Sequence, residues 1–451
     1  MEDDMADFDL IVIGAGPGGY VAALEAAALG KTVAIAERRE VGGTCLNRGC
    51  IPTKALLRAA RTYREATQSA ELGVTVTGAN IDMEAMYLHV DEVTANLRSG
   101  IEILLHKGKV EILHGAARVE GEGKVSVDGT EYTAGRILLA VGSRPARPPI
   151  PGLELPGVVT SDELLAGQGA DAERIVIIGG GVVGVEFAQI FSDLGRQVTI
   201  LEALPRILNN MDREISQNLS MILKKRGVEV HAGAAVNGIE AEDGGLVCRY
   251  TEKETAAEVG ADCVLVCTGR RPATEEVFAP GVGPELERGY VRVDENFETG
   301  MKGLFAVGDI VAGGVQLAHA AEAQARNAVR AMFGGVPFKK LDLIPSCVFT
   351  DPEIASVGIT ADEAKAAGRS VAVRKSLTSA NGKALVEGAE RGFAKLVFDG
   401  EGGALVGAQI MCPHASEMIG GLATAIVASL TGEQLAGTVF PHPTVSEILS
   451  V

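Results

Sequence analysis

The chain of 451 residues has no tryptophan, and aromatic side chains make up only 4% of it. Proteins that bind single-stranded nucleic acid use aromatic platforms to stack bases, so that class is disfavoured. Positive charge is also short: 41 Lys and Arg stand against 59 Asp and Glu, a formal net charge of −18. Bulk attraction to a phosphate backbone or to an anionic membrane surface is thereby opposed. The apolar stretches near 175–185 and 422–430 fall well short of the roughly 20 residues that a membrane span needs. The acidic start, Met1–Asp7, has neither the basic nor the apolar region of a secretory signal, so a cytoplasmic location is expected. Cysteines number seven, an odd count scattered over positions 45, 50, 248, 263, 267, 347 and 412, which implies no disulfide framework.

What the chain has in excess is glycine, 57 of 451 residues, nearly twice the roughly 7% of average usage. Two of the glycine clusters are built alike. Asp9–Gly19 reads as a short apolar strand entering a Gly14-x-Gly16-x-x-Gly19 turn and then an Ala-rich helix; Arg174–Gly184 repeats this with Gly179, Gly181 and Gly184. Such glycines permit a tight turn and close approach of a pyrophosphate to the positive end of a helix. Each helix is followed by Leu-Gly-basic and a strand ending in an acid, Glu37 and Glu202, 23 residues past the first glycine in both cases. One such turn is a weak signal, whereas two in register define a pair of dinucleotide units. The acid is the expected ribose reader: it accepts from a 2′-hydroxyl and repels a 2′-phosphate, so Glu202 favours NAD over NADP, with Arg206 near enough to blunt the preference.

Two buried strands, each ended by a Gly/Pro turn, close the units at Gly142 and Gly269, and a third, 303–309, ends in Gly308-Asp309, where Asp309 is placed to accept from a cofactor hydroxyl. Residues 240–260 read as polar hairpin strands. From about 345 the pattern changes. Alternating segments at 346–349, 393–398 and 405–411, with an Ala/Gly/Ile-rich helix over 415–430, suggest an antiparallel α+β domain. The fold class expected is α/β, with two Rossmann-like dinucleotide-binding domains and a C-terminal α+β domain. Length alone gives a prior of about three domains.

Cys45 and Cys50 follow the first acid within the segment Gly42–Lys54. In a regular helix, positions five apart have Cα atoms roughly 8.5 Å apart, beyond the ~7 Å limit for bridging. The helix must therefore start irregularly there, which Gly49 and Pro52 permit. Such a pair is more often catalytic than structural in a cytosolic chain, and a helix N-terminus lowers a thiol pKa. Two inert thiols, or a metal site, are the alternatives; a metal would need two more ligands at sensible spacing, and none is expected. Near the C-terminus, His442 precedes a proline, which pushes it into an extended conformation with its imidazole free. Thr444-x-x-Glu447 fits a helix capping box, the favoured reading of these residues alone; unless Glu447 is committed to the backbone, it can also fix the tautomer of His442, as a thiol-activating base requires.

Taken together these residues resemble the pyridine nucleotide–disulfide oxidoreductase family over essentially the whole chain. Gly42–Lys54 is the most specific segment; Asp351–Gly358, Ser379–Ala384, Pro413–Glu417 and His442–Glu447 resemble the family's interface domain. The resemblance implies an FAD-binding domain at 1–148 and 271–340, an NAD-binding domain at 149–270 and a dimerisation domain at 341–451. It implies FAD contacts at Gly14, Gly16, Gly19, Glu37, Thr44, Lys54, Ala117, Gly142, Asp309, Leu317, Ala318 and His319. The implied NAD contacts are Gly179, Gly181, Gly184, Glu186, Glu202 and Gly269. Cys50 would face the flavin and Cys45 exchange with substrate, with His442 and Glu447 as a base pair delivered from the other subunit of a homodimer. The implied reaction oxidises protein-bound dihydrolipoamide to lipoamide and reduces NAD+, the partner being a lipoyl-bearing protein of a 2-oxoacid dehydrogenase or glycine cleavage system. Alternatives are an NAD(P)H-dependent reductase of another disulfide and a non-catalytic flavoprotein scaffold. Two departures stand out: Phe440 replaces a second His of many relatives, and the chain ends four residues after Glu447, which implies either a weaker dimer contact or a compact variant of the family.

Overall fold

Within Phe8–Ile13, the last four residues, Leu10–Ile13, are apolar, mostly β-branched and all buried, the pattern of a strand covered on both faces. In the computed structural model, which describes residues 6–242, 244–336, 338–389, 391–400 and 403–450, it is the central strand of a seven-stranded sheet; the start of the chain, Met1–Met5, lies outside the described residues. Parallel neighbours Val33–Glu37 and Thr130–Leu139 flank it, in the registers Leu10↔Val33 and Ile13↔Leu139. Leu304–Ala306 pairs on the far side of residues 137–139, so the chain returns to this sheet after a long excursion. Four helices belong to the first pass: α1 (Pro17–Ala28), α2 (Gly43–Arg48), α3 (Cys50–Gln68) and α4 (Met83–Lys107). Pro17 opens α1, where its missing N–H costs no hydrogen bond and its φ is already helical.

The excursion builds a second, five-stranded parallel sheet, in the order 229–232, 197–202, 174–178, 263–266, 158–160. Its helices are α5 (Ser161–Leu165), α6 (Val182–Asp193) and α7 (Arg213–Lys225). Ala234–Glu242, Gly245–Glu252 and Thr255–Ala261 form a three-stranded antiparallel sheet, the polar hairpins seen in the sequence. The chain leaves and re-enters through two short strands, Ser143–Pro145 and Arg270–Pro272, which pair with each other as a ribbon between the two sheets. Helix α8 (Ala318–Met332) then packs on α1.

The third unit is a five-stranded antiparallel sheet in the order 346–348, 354–358, 405–411, 393–399, 371–377. Its central strands are buried almost throughout, not on alternate residues. The reason is a cover on each face: the helix Ala415–Val427 lies on one, while Val348, Ile354, Phe393 and Met411 on the other join a core shared with Leu56 of α3 and Phe187 of α6. That helix stops three residues short of the stretch expected, and Ser429, with φ 54°, turns the chain out of it. Among the described residues no helix is long and apolar enough to cross a membrane.

Candidate active site

The two glycine-rich turns are wired identically. Gly14 (φ 100°) and Gly179 (φ 111°) take left-handed conformations, and a Cβ on Gly19 or Gly184 would lie 1.8 or 2.0 Å from the carbonyl oxygen of Gly14 or Gly179. These positions admit only glycine. The middle glycines are different: a Cβ on Gly16 would meet nothing nearer than 3.9 Å and one on Gly181 nothing within 4 Å. Open space over N–H groups at a helix start is what a diphosphate requires, so both turns fit a dinucleotide. Beside each turn a strand-end carboxylate is anchored by two backbone N–H groups. Glu37 accepts from Ala15 (2.8 Å) and Arg39 (2.9 Å), and Glu202 from Gly180 and Leu204 (both 2.6 Å). The Arg206 guanidinium is bound to Asn209 and the Met211 carbonyl, with no hydrogen bond or ion pair to Glu202 among the described residues.

Around the first turn, Ala117 lines a cleft with Gly14, Glu37, Gly115 and Val141. Gly142 (φ 69°) and Gly269 (φ 111°) start the two strands of the connecting ribbon. Asp309 sits in a 3-10 turn over Gly308–Ile310, where burial raises its carboxyl above the usual range and Ser143 donates to its Oδ2 at 2.5 Å. Leu317 and Ala318 start α8; the His319 ring engages the Pro345 carbonyl at 2.7 Å, leaving its helix-start backbone as the part available to a ligand.

The irregular helix start demanded by Cys45 and Cys50 takes the form of a break between two helices. Cys45 lies in α2, Gly49 interrupts with φ −153° and ψ −109°, and Cys50 is the first residue of α3. Gly43 (φ 59°) brings the start of α2, and with it Thr44, against the first glycine turn: a Cβ there would lie 2.6 Å from the Gly16 Cα. Asn47 fastens the segment by donating to the Val41 and Gly43 carbonyls, each at 3.0 Å. Both cysteines are present as free thiols. They are unequal. The hydrogen bond from Cys45 pulls Cys50 down to about 7, Lys54 assisting against burial. The same contact, with burial, pushes Cys45 well above the ordinary thiol range.

Lys54 and Glu186, implied contacts of different nucleotides, form one ion pair, Nζ to Oε2 at 2.9 Å. Lys54 also lies over the Phe349 ring at 4.5 Å, and the Phe349 N–H donates to Glu186 at 2.9 Å. Glu186 is the first of three buried polar residues on α6. Gln189 accepts from the Asp351 N–H at 2.6 Å, and Asp193 from Arg64 of α3 at 2.9 Å. Their i, i+3, i+7 spacing on an otherwise apolar helix was the available signal for this lock. Tyr20 and Glu322 had no such signal. They flank Cys45 from α1 and α8, and burial, followed by Glu322 and Cys45, raises the Tyr20 hydroxyl to about 12.

At the other end of the chain, His442 Nδ1 meets Glu447 Oε1 at 3.0 Å, while Glu447 Oε2 accepts the Thr444 N–H at 2.9 Å. One carboxylate thus serves both the helix start and the imidazole. The Thr444 hydroxyl donates back to the Pro441 carbonyl at 2.8 Å. The backbone bond from Thr444, then His442, lowers the Glu447 carboxyl. The His442 side chain is 79% exposed, and no hydrogen bond or ion pair among the described residues joins it to Cys45 or Cys50. Phe440, partly buried, packs on the core of the third unit.

Two nucleotide cradles, a polarised cysteine pair between them and an imidazole–carboxylate pair on a separate sheet domain define a flavoprotein disulfide oxidoreductase. The chain belongs to the pyridine nucleotide-disulphide oxidoreductase family: residues 8–325 match the family model, and 344–450 match its dimerisation domain. It is 39% identical to the dihydrolipoyl dehydrogenase of Chlorobaculum parvum, over 99% of this chain and 96% of that protein. With that of Geobacillus stearothermophilus the identity is 38%, over 99% and 95%. Among solved structures, the HOCl-induced flavoprotein disulfide reductase RclA from Escherichia coli superposes with a TM-score of 0.87 at 29% identity, covering 98% of both chains.

Proposed function

We propose that the protein is a dihydrolipoyl dehydrogenase: it oxidises dihydrolipoamide on a separate lipoyl-bearing protein of a 2-oxoacid dehydrogenase or glycine cleavage system and reduces NAD+. The observation that carries this reading is the asymmetry of the thiols together with the base: Cys50 near 7, Cys45 far above it, and an exposed His442 held by Glu447. We assign residues 1–148 and 271–340 to FAD, 149–270 to NAD and 341–451 to the contact of a cytoplasmic homodimer, through which His442 of one subunit reaches Cys45 of its partner.

His442 takes a proton from the substrate dithiol, and the thiolate attacks Cys45 of the enzyme disulfide. Cys50 leaves as thiolate, the better leaving group because its pKa is the lower. The second substrate thiol then displaces Cys45, releasing lipoamide and leaving both enzyme cysteines reduced. FAD, when bound, supplies the two-electron carrier between this dithiol and NAD+. Lys54, paired with Glu186, holds positive charge beside the Cys50 thiolate, and Glu202, anchored by two backbone N–H groups, selects the unphosphorylated ribose.

Anaerobic addition of dihydrolipoamide should produce a long-wavelength thiolate-to-flavin band that decays with NAD+ and much less with NADP+. If dihydrolipoamide leaves the flavin oxidised while NADH reduces it, the substrate is a different disulfide, as in the likeness to RclA.

A further inference from the structure

The ribbon between the two nucleotide units contains a relay that the cofactor contacts do not account for. Arg270 donates twice to one residue, from Nε to the Ser143 hydroxyl at 2.7 Å and from a terminal nitrogen to the Ser143 carbonyl at 2.8 Å. The hydroxyl carries a single proton. Since its oxygen already accepts from a guanidinium that is always charged, that proton must point onward, and it meets Asp309 Oδ2 at 2.5 Å. We infer that Arg270 and Ser143 are positioning residues that hold Asp309 ionised and oriented so that its remaining oxygen, Oδ1, accepts a hydroxyl of the bound flavin cofactor.

The inference rests on Asp309 being a flavin contact, as proposed above. Burial works against an ionised Asp309, and a protonated carboxyl could donate as well as accept, losing selectivity for a hydroxyl donor. The relay opposes this with a directed hydrogen bond backed by a cation one residue further out. Arg270 is also shared: another of its nitrogens lies 3.9 Å from Asp162 of α5, whose Oδ1 is buried without a hydrogen-bond partner. The same guanidinium therefore stands between a carboxylate of each nucleotide unit.

The test is FAD titration into flavin-stripped full-length protein, followed by fluorescence quenching, alongside thermal unfolding of the apo-protein. Asp309→Asn, Ser143→Ala and Arg270→Met should each raise the FAD dissociation constant about tenfold, the scale of one lost charge-assisted bond. Ser143→Thr should restore wild-type affinity by restoring the hydroxyl. The double variant Ser143→Ala/Arg270→Met should bind no more weakly than the weaker single variant, because both act through one chain of bonds. The inference is overturned if Asp309→Asn weakens binding but Ser143→Ala stays within twofold of wild type, if threonine fails to rescue, or if the two changes are additive. A lowered unfolding temperature with unchanged affinity would reduce Arg270 to a strut and overturn it too. If Asp309→Asn itself leaves affinity unchanged, the flavin contact falls instead. Where Arg270→Met does not fold, the alanine and threonine variants of Ser143 decide the matter, since neither removes a charge.

Discussion

At the scale of single residues, the cysteine pair makes the sharpest commitments. In the reduced protein Cys50 ionises near 7, so the thiolate-to-flavin band should strengthen as pH rises and reach half its height at about pH 7, with acid abolishing it. Cys45→Ser should abolish dihydrolipoamide turnover while leaving FAD bound and reducible by NADH; near-normal turnover would sink the assignment. His442→Gln should lower turnover with dihydrolipoamide by roughly 10²–10⁴-fold, the usual range for a lost general base, with NADH reduction of the flavin unaffected. The motif residues were legible because their spacing is short and their chemistry unusual. Glu447 was legible as a cap and as a partner for His442, two readings that exclude each other only if the whole carboxylate is committed to the backbone; it has two oxygens, and each takes one partner. Tyr20 and Glu322 were not legible, since only the packing of α1 against α8 brings them to Cys45.

At the scale of elements, the glycine turns could be read almost residue by residue, because a steric demand of the backbone leaves no alternative residue. Gly184→Ala would force a Cβ to within 2.0 Å of the Gly179 oxygen, so NAD binding should collapse while FAD stays bound, a split visible by titrating each nucleotide separately. Helix α6 could be read only in half. Its N-terminal turn announced a nucleotide, but the polar stripe of Glu186, Gln189 and Asp193 meets partners more than 120 residues away in sequence, such as Lys54 and Arg64. Local pattern carries no information about such pairings. The third sheet was read correctly as antiparallel, but not its burial: strands flanked by helix on one side and by two other units on the other lose the alternation that marks a half-exposed sheet.

Across the whole molecule, one apolar core runs through all three units, and one charge cluster, Arg64, Asp193, Arg226 and Asp351, ties α3, α6, the end of α7 and the third sheet together. Asp193→Asn should lower stability by about 2–3 kcal/mol, because it leaves two arginines in a largely buried place with one carboxylate between them; calorimetry on the holoprotein would show it. His442 and Val439 are 79% and 93% exposed in the single chain. Dihydrolipoamide turnover per chain should therefore fall on dilution as subunits separate, while NADH reduction of the flavin persists. The matched cradles have a historical reading as well. The same three glycines, the same anchored acid and the same spacing recur, and the second set lies wholly inside the chain interval between strands 130–139 and 304–306 of the first sheet. An internal duplication, with one unit inserted into its own copy, would leave this arrangement, and a single chain would then carry two nucleotide cradles.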